Sequence, residues 1–253
     1  MIKFFRRIRQ KLISEKSFSK YLFYATGEIV LVVIGILIAL KINNWNTETI
    51  EQKQELKLVH RLNSDLKNNL AEVKDIQSRL IINQQGIDSL ISGLKKNSYT
   101  DMVPFYMNFA QRKTFFTNSS TAYQMIRNGM ANYFSNDQIL EPVLNLYEID
   151  FEEINERQEQ LHQEIDYLKR NFIFNEFEPA PRKMQFKFND FDKVSNDLFV
   201  PIDFNQLSNN KAFLNNLIQL RQSVDNRLVN LEETQEKIEK TLETIEGVLK
   251  NSQ

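Results

Sequence analysis

Cysteine is absent from this 253-residue chain, which removes disulfide staples and thiolate metal sites in any compartment. The absence itself says nothing of the redox environment. Two histidines leave any metal site to rest mostly on carboxylates. Only six glycines and five prolines are spread among many Glu, Gln, Asn, Lys and Leu, which argues against a turn-rich β fold and for long helices. The net charge is −1, but the first twenty residues carry seven Lys and Arg against the single acid Glu15. The remainder is correspondingly acidic, so the one basic cluster stands at the N-terminus.

What the chain does have is one long apolar run, Tyr21–Trp45. Lys20 and Lys41 bracket twenty residues, and at about 1.5 Å each these cover the roughly 30 Å of a bilayer's hydrocarbon core. Glu28 interrupts the run at a cost of no more than about 3 kcal/mol. Thirteen Leu, Ile, Val and Phe residues return about 0.3–0.6 kcal/mol each, so insertion wins. The expected organisation is a basic cytoplasmic N-terminus over 1–20, a transmembrane helix over 21–42 and an extracytoplasmic helical domain over 43–253. Tyr21, Tyr24 and Trp45 stand at the two edges as membrane-interface residues.

Residues 1–20 interleave Phe4, Phe5, Ile8, Leu12 and Ile13 with Arg and Lys, which suits a short helix on an anionic inner leaflet. By the positive-inside rule this end is cytoplasmic, because the residues after the span show no basic excess. Nucleic-acid contact and an uncleaved secretory n-region are the competing readings of such a run. Within the span, Glu28, Gly35 and Ala39 share one helical face, and Gly35 and Ala39 form a small-xxx-small pattern that lets two helices pack closely. Alternatively, Glu28 lies only about 12 Å from Lys20 and snorkels toward the headgroups.

From Val59 an apolar seam advances in steps of three and four: Val59, Leu62, Leu66, Asn69, Val73, Ile76, Leu80, Asn83, Ile87, Leu90 and Leu94. This predicts a long bundle or coiled-coil helix. Asn69 and Asn83 either fix register as buried amides or border solvent. Asn97–Pro104 predicts a break, and Phe105–Gly129 one or two shorter helices ending at Asn128–Gly129. Ser135 opens the next helix as N-cap, with Gln138 as its capping-box partner. That helix carries Ile139, Val143, Leu146, Ile149, Ile154, Leu161, Ile165 and Leu168.

Two blocks carry a resemblance. The opening MIKFFRRIRQKLISEKSFSKYLFYATGEIVLVVIGILIALKINNWN is similar to the N-terminus of the domain of unknown function 6090 family, most specifically at Gly27–Val30 and Ala39–Trp45. TAYQMIRNGMANYFSNDQILEPVLNLYE, residues 121–148, resembles that family's second block. The resemblance implies a single-pass inner-membrane protein of Bacteroidetes-type bacteria with its body in the periplasm. It supplies no catalytic residues.

Residues 171–210 combine Phe172, Phe174, Phe177, Phe186, Phe188, Phe191, Phe199 and Phe204 with three prolines. Alternation around Met184, Phe186 and Phe188 allows a short strand or hairpin. The segment is read as a cap over the bundle. Its sharper reading is a partner surface built on Phe186, Phe188 and Phe191. Phe213–Asn251 then resumes a seam with Leu217, Val224, Leu228, Leu231, Gln235, Ile238, Leu242, Ile245 and Leu249, a helix expected to pair antiparallel with the first.

The fold class is therefore all-α: a transmembrane helix continuing into an elongated antiparallel bundle or coiled coil with a Phe-rich cap. Glu159 and His162 match one Glu-x-x-His half of a di-iron bundle site, but Lys57 stands where His60 would need an acid. Ser119 and Ser120 lack any nucleophile pattern, and no phosphate loop appears. The expectation is a non-enzymatic scaffold or interaction protein without catalytic, metal or cofactor residues. Its partners are the lipid bilayer and a protein partner or second copy, not nucleic acid. A periplasmic ligand-sensing or adaptor subunit is the alternative, and the sequence leaves its ligand open.

Overall fold

The computed structural model describes residues 18–130, 134, 137–180 and 198–251. It is 85% helical with one two-stranded antiparallel ladder. Helix α1 (Phe18–Lys95) is followed by α2 (Val103–Ala110), α3 (Thr121–Arg127) and α4 (Asp137–Asn145). A π-helical turn, Leu146–Asp150, leads into α5 (Phe151–Leu168), and a second, Lys169–Ile173, into the single turn α6 (Phe174–Glu176). Strands β1 (Phe177–Pro179) and β2 (Phe199–Pro201), then α7 (Phe204–Asn209) and α8 (Lys211–Asn251), complete the order. The chain divides into two compact units, Met1–Leu56 and Lys57–Gln253.

In the first unit, the helix holds a window of mean hydropathy 2.3 with none of it buried, long and apolar enough to cross a membrane. Every residue from Ile29 to Glu48 is exposed, whichever way it faces on the helix. A helix apolar all round has no seam to bury against protein.

In the second unit, apolar burial follows the heptad. All eleven seam positions from Val59 to Leu94 are buried, including Asn69 at 1% and Asn83 at 3% exposure, which removes the solvent-border reading of the two amides. Cross-helix pairs Lys67–Glu246, Lys74–Glu239, Gln84–Asp225 and Asp88–Arg221 fall in descending register, so α1 and α8 run antiparallel. Asp150–Lys237, Gln158–Arg227 and Glu164–Gln219 give the same relation for the α4–α5 arm. The larger core, from Leu58 to Ile245, lies among these three arms, and a second, small cluster joins Phe105, Ala180 and Leu198.

The helix ends follow local chemistry. Asn97 takes φ 44° after α1, with Ser98 N–H donating to Gly93 O and Asn97 N–H to Leu94 O, a Schellman stop. Its side chain also ties to Asn205 and Ser208 of α7. Gly129 stops α3 at φ 108°. Phe105–Gly129 holds two helices, α2 and α3. The helix expected to run through Ile149 is interrupted: the π turn adds a residue per turn, so Ile149 rotates out to 59% exposure while Asp150 goes in. The Phe-rich segment is entered and left through β1 and β2, where Phe177 pairs with Pro201 and Pro179 with Phe199. The hairpin expected around Phe186 and the capping residue Ser135 lie outside the described residues.

Candidate functional site

Residues 111–120 leave α2 in neither helix nor strand, with Gln111 still in helical φ/ψ. Thr114 and Phe116 point inward while Phe115 and Thr117 face out. A buried backbone outside helix and strand must find hydrogen-bond partners, and here helix side chains supply them. Asn69 grips Ser119 twice, its Nδ2 donating to the carbonyl at 3.0 Å and its Oδ1 accepting from the N–H at 2.6 Å. The Tyr147 hydroxyl donates to the same carbonyl at 2.6 Å. Asn83 Nδ2 donates to Arg112 O at 3.4 Å, and Asp65 accepts from Ala122 N–H at 2.8 Å. That carboxylate caps α3 from another helix, since Ser120 makes no side-chain cap of its own. The seam amides thus hold a third segment in register, and Asn69 Nδ2 also donates to the Tyr147 hydroxyl on the π turn at 3.1 Å.

Arg227 is the largest wholly buried side chain, at 0% exposure. Its guanidinium donates to the Thr114 hydroxyl at 2.7 Å, to the Thr114 carbonyl and to Gln158 Oε1 at 3.0 Å. Gln158 Oε1 also accepts from Phe116 N–H at 2.7 Å. All of these acceptors are neutral, and burial lowers the guanidinium to about 10. His162 is buried beside it, with Nε2 3.0 Å from Thr114 O and its ring edge-on to Phe115. Burial holds this imidazole below its ordinary range, helped by the Arg227 and Lys113 charges and opposed by the Thr114 carbonyl. Burial likewise pushes the Tyr147 phenol up, with the Asp65 carboxylate adding to the rise. This tract fixes three helix arms around one strap of backbone.

A cleft of about 480 Å³ opens beside the π turn, between α4 and α8, lined by Pro142, Leu146, Ile149, Asp150, Lys237 and Lys240 among others.

The sequence-predicted residues are distributed as follows. Glu28 is half-buried, and Gly35, Ala39 and Trp45 are exposed, all on α1. Tyr21 and Tyr24 are helical, but their side chains lie outside what is described, as do residues 1–17 and Phe186, Phe188 and Phe191. Glu159 is exposed, its charge acting on the buried His162 imidazole to raise it, and no cluster with metal-ligand composition occurs among the described residues. Arg227 and the cleft were not foreseen. One signal was present for Arg227: it lies three residues after Val224 and four before Leu231, the step pattern of a core position.

No curated protein and no solved structure matches the chain. The family model of DUF6090, a family of unknown function, matches residues 28–153. The match takes in Asp65, Asn69, Asn83 and the strap they hold, and ends before Gln158, His162 and Arg227. By that match the chain belongs to the DUF6090 family of unknown function.

Proposed function

We propose that the chain is a single-pass membrane protein of the cytoplasmic membrane, with its basic N-terminus inside and its helical domain in the periplasm, acting as a non-enzymatic scaffold or interaction module. The observation that carries this reading is the apolar window of α1, exposed on every side. At about 1.5 Å per residue an 18-residue window covers close to 27 Å, the scale of a bilayer's hydrocarbon core. The seven basic residues before it against one acid support the orientation. The interaction role is supported by the inward use of the polar tract, whose side chains bind the protein's own backbone.

Carbonate-washed membranes combined with crosslinking in native cells test both parts. Retention in the washed membrane with reproducible protein neighbours, or with a second copy, is the expected result. Release by carbonate contradicts the anchor. Retention without any crosslinked neighbour contradicts the interaction role.

A further inference from the structure

We infer that the cleft beside the π turn binds a small organic anion with an apolar body, of which an aromatic monocarboxylate is the simplest form. The inference is independent of the anchor and of the scaffold role. Its volume, about 480 Å³, falls within the roughly 300–1,000 Å³ of small-molecule sites. Its shape comes from two local features. Pro142 lies inside α4, and in the turn after it Phe151 N–H donates to Leu146 O, five residues back. The widened turn carries Asp150 inward and leaves Ile149 at the mouth.

The lining is divided. Pro142, Leu146 and Ile149 form an apolar wall, and the charges stand at Asp150, Lys237 and Lys240. Asp150, nearly buried, is already paired with Lys237, whose ammonium it holds above the ordinary range. Lys240 has no ion-pair partner among the described residues. Glu236 and Glu243, the acids one turn to either side of it on α8, do not line the cleft. Two ammoniums against one carboxylate leave the lining at +1. An apolar wall facing one uncompensated cation suits a ligand with one anionic group and a ring or short chain.

The test uses the full chain in phosphatidylcholine nanodiscs, with 4-trifluoromethylbenzoate as probe and its ¹⁹F linewidth as readout against empty discs. Saturable broadening is expected with the native chain. Lys240→Gln, an exposed substitution that leaves the Asp150–Lys237 pair intact, should raise Kd by roughly tenfold, the scale of one charge-assisted hydrogen bond. Ile149→Trp should fill the mouth and abolish saturable broadening, with unchanged melting confirming the fold. The neutral 4-trifluoromethylbenzamide should bind about as weakly to the native chain as the acid does to Lys240→Gln. Broadening no greater than in empty discs, equal Kd in Lys240→Gln, or broadening that survives Ile149→Trp would each overturn the inference.

Discussion

Helix α1 carries two apolar stretches that obey different rules. Between Ile29 and Ile42 the apolar residues occupy every side of the helix and all are exposed. Between Val59 and Leu94 the seam residues recur every three or four residues and every one of them is buried, whereas Ile81 and Ile82, off the seam, are exposed. The second pattern is what a helix needs when protein covers one side of it. The first has no covered side, the pattern of a helix enclosed on every side, by a large protein core or by lipid. The contrast teaches that period separates burial on one side from burial on every side, the latter being the case of the proposed membrane span.

The sharpest way to break this comparison is to make the same substitution in both stretches. Leu80→Ala removes a wholly buried side chain and should cost about 2–5 kcal/mol, whereas Leu37→Ala should leave the melting of the helical domain unmoved. Circular-dichroism melting of the reconstituted chain decides, and equal losses would erase the distinction. Next in size is the seam's polar exception. Asn69→Leu orphans the partly buried Ser119 N–H and should destabilise by about 1–3 kcal/mol despite the similar volume. A neutral or stabilising result in the same melt would mean that Asn69 does not hold the strap.

Two glycines within helices extend the contrast at smaller scale. A Cβ on Gly86 would sit 2.8 Å from Phe109 Cβ, an atom too close to the backbone of α2 to swing aside. Gly86→Ala should therefore destabilise by about 1 kcal/mol, because an overpacking cost of about 1–3 outweighs the gain in helix propensity. Nothing lies within 4 Å of the same atom on Gly247, so Gly247→Ala should stabilise by about 0.5–1 kcal/mol. Chemical denaturation of the two variants reads both signs.

The smallest effect expected is the pH response of the polar tract. His162 is held below its ordinary value of 6.5, so on acidification the unfolded imidazole takes up its proton first. The stability tied to neutral His162 is complete above about pH 6.5 and is lost as pH falls from there through the folded value. Melting points at pH 7.5 and 5.5 should differ more for the native chain than for His162→Gln. An equal drop in both proteins would place the acid response outside His162; the depressed carboxyls of Asp166, Glu239 and Glu246 lose their stabilisation only at lower pH, below this window.

Most of the fold was legible in the sequence because apolar periodicity reports a side that protein covers. The α1 seam and the long last helix follow from it, while the break at Asn97 and the stop at Gly129 follow from turn and C-cap residues. In α8 the pattern was half-hidden. Leu217, Val224, Leu231, Ile238 and Ile245 were legible, but of the positions alternating with them only Leu220 is apolar, while Arg227, Thr234 and Thr241 are polar residues that send no hydrophobic signal. Leu228 and Gln235 were taken in their place and are only half-buried, one residue out of phase. The strap at 111–120 was hidden for a related reason, because its hydrogen bonds go to side chains far along the chain and to no neighbouring strand. The π turn leaves no compositional mark, so Ile149 and the cleft followed only from the backbone geometry. Glu28, Gly35 and Ala39 were placed on one helix face by spacing alone.

The native absence of cysteine makes the decisive measurement clean. Ser98→Cys and Ser14→Cys proteins, expressed separately in cells with a permeabilised outer membrane, are exposed to a maleimide that cannot cross the inner one. The account predicts prompt labelling of Ser98→Cys and labelling of Ser14→Cys only after the inner membrane is opened. Labelling of both before lysis, or of neither, would contradict a chain that crosses the bilayer once with its helical domain outside.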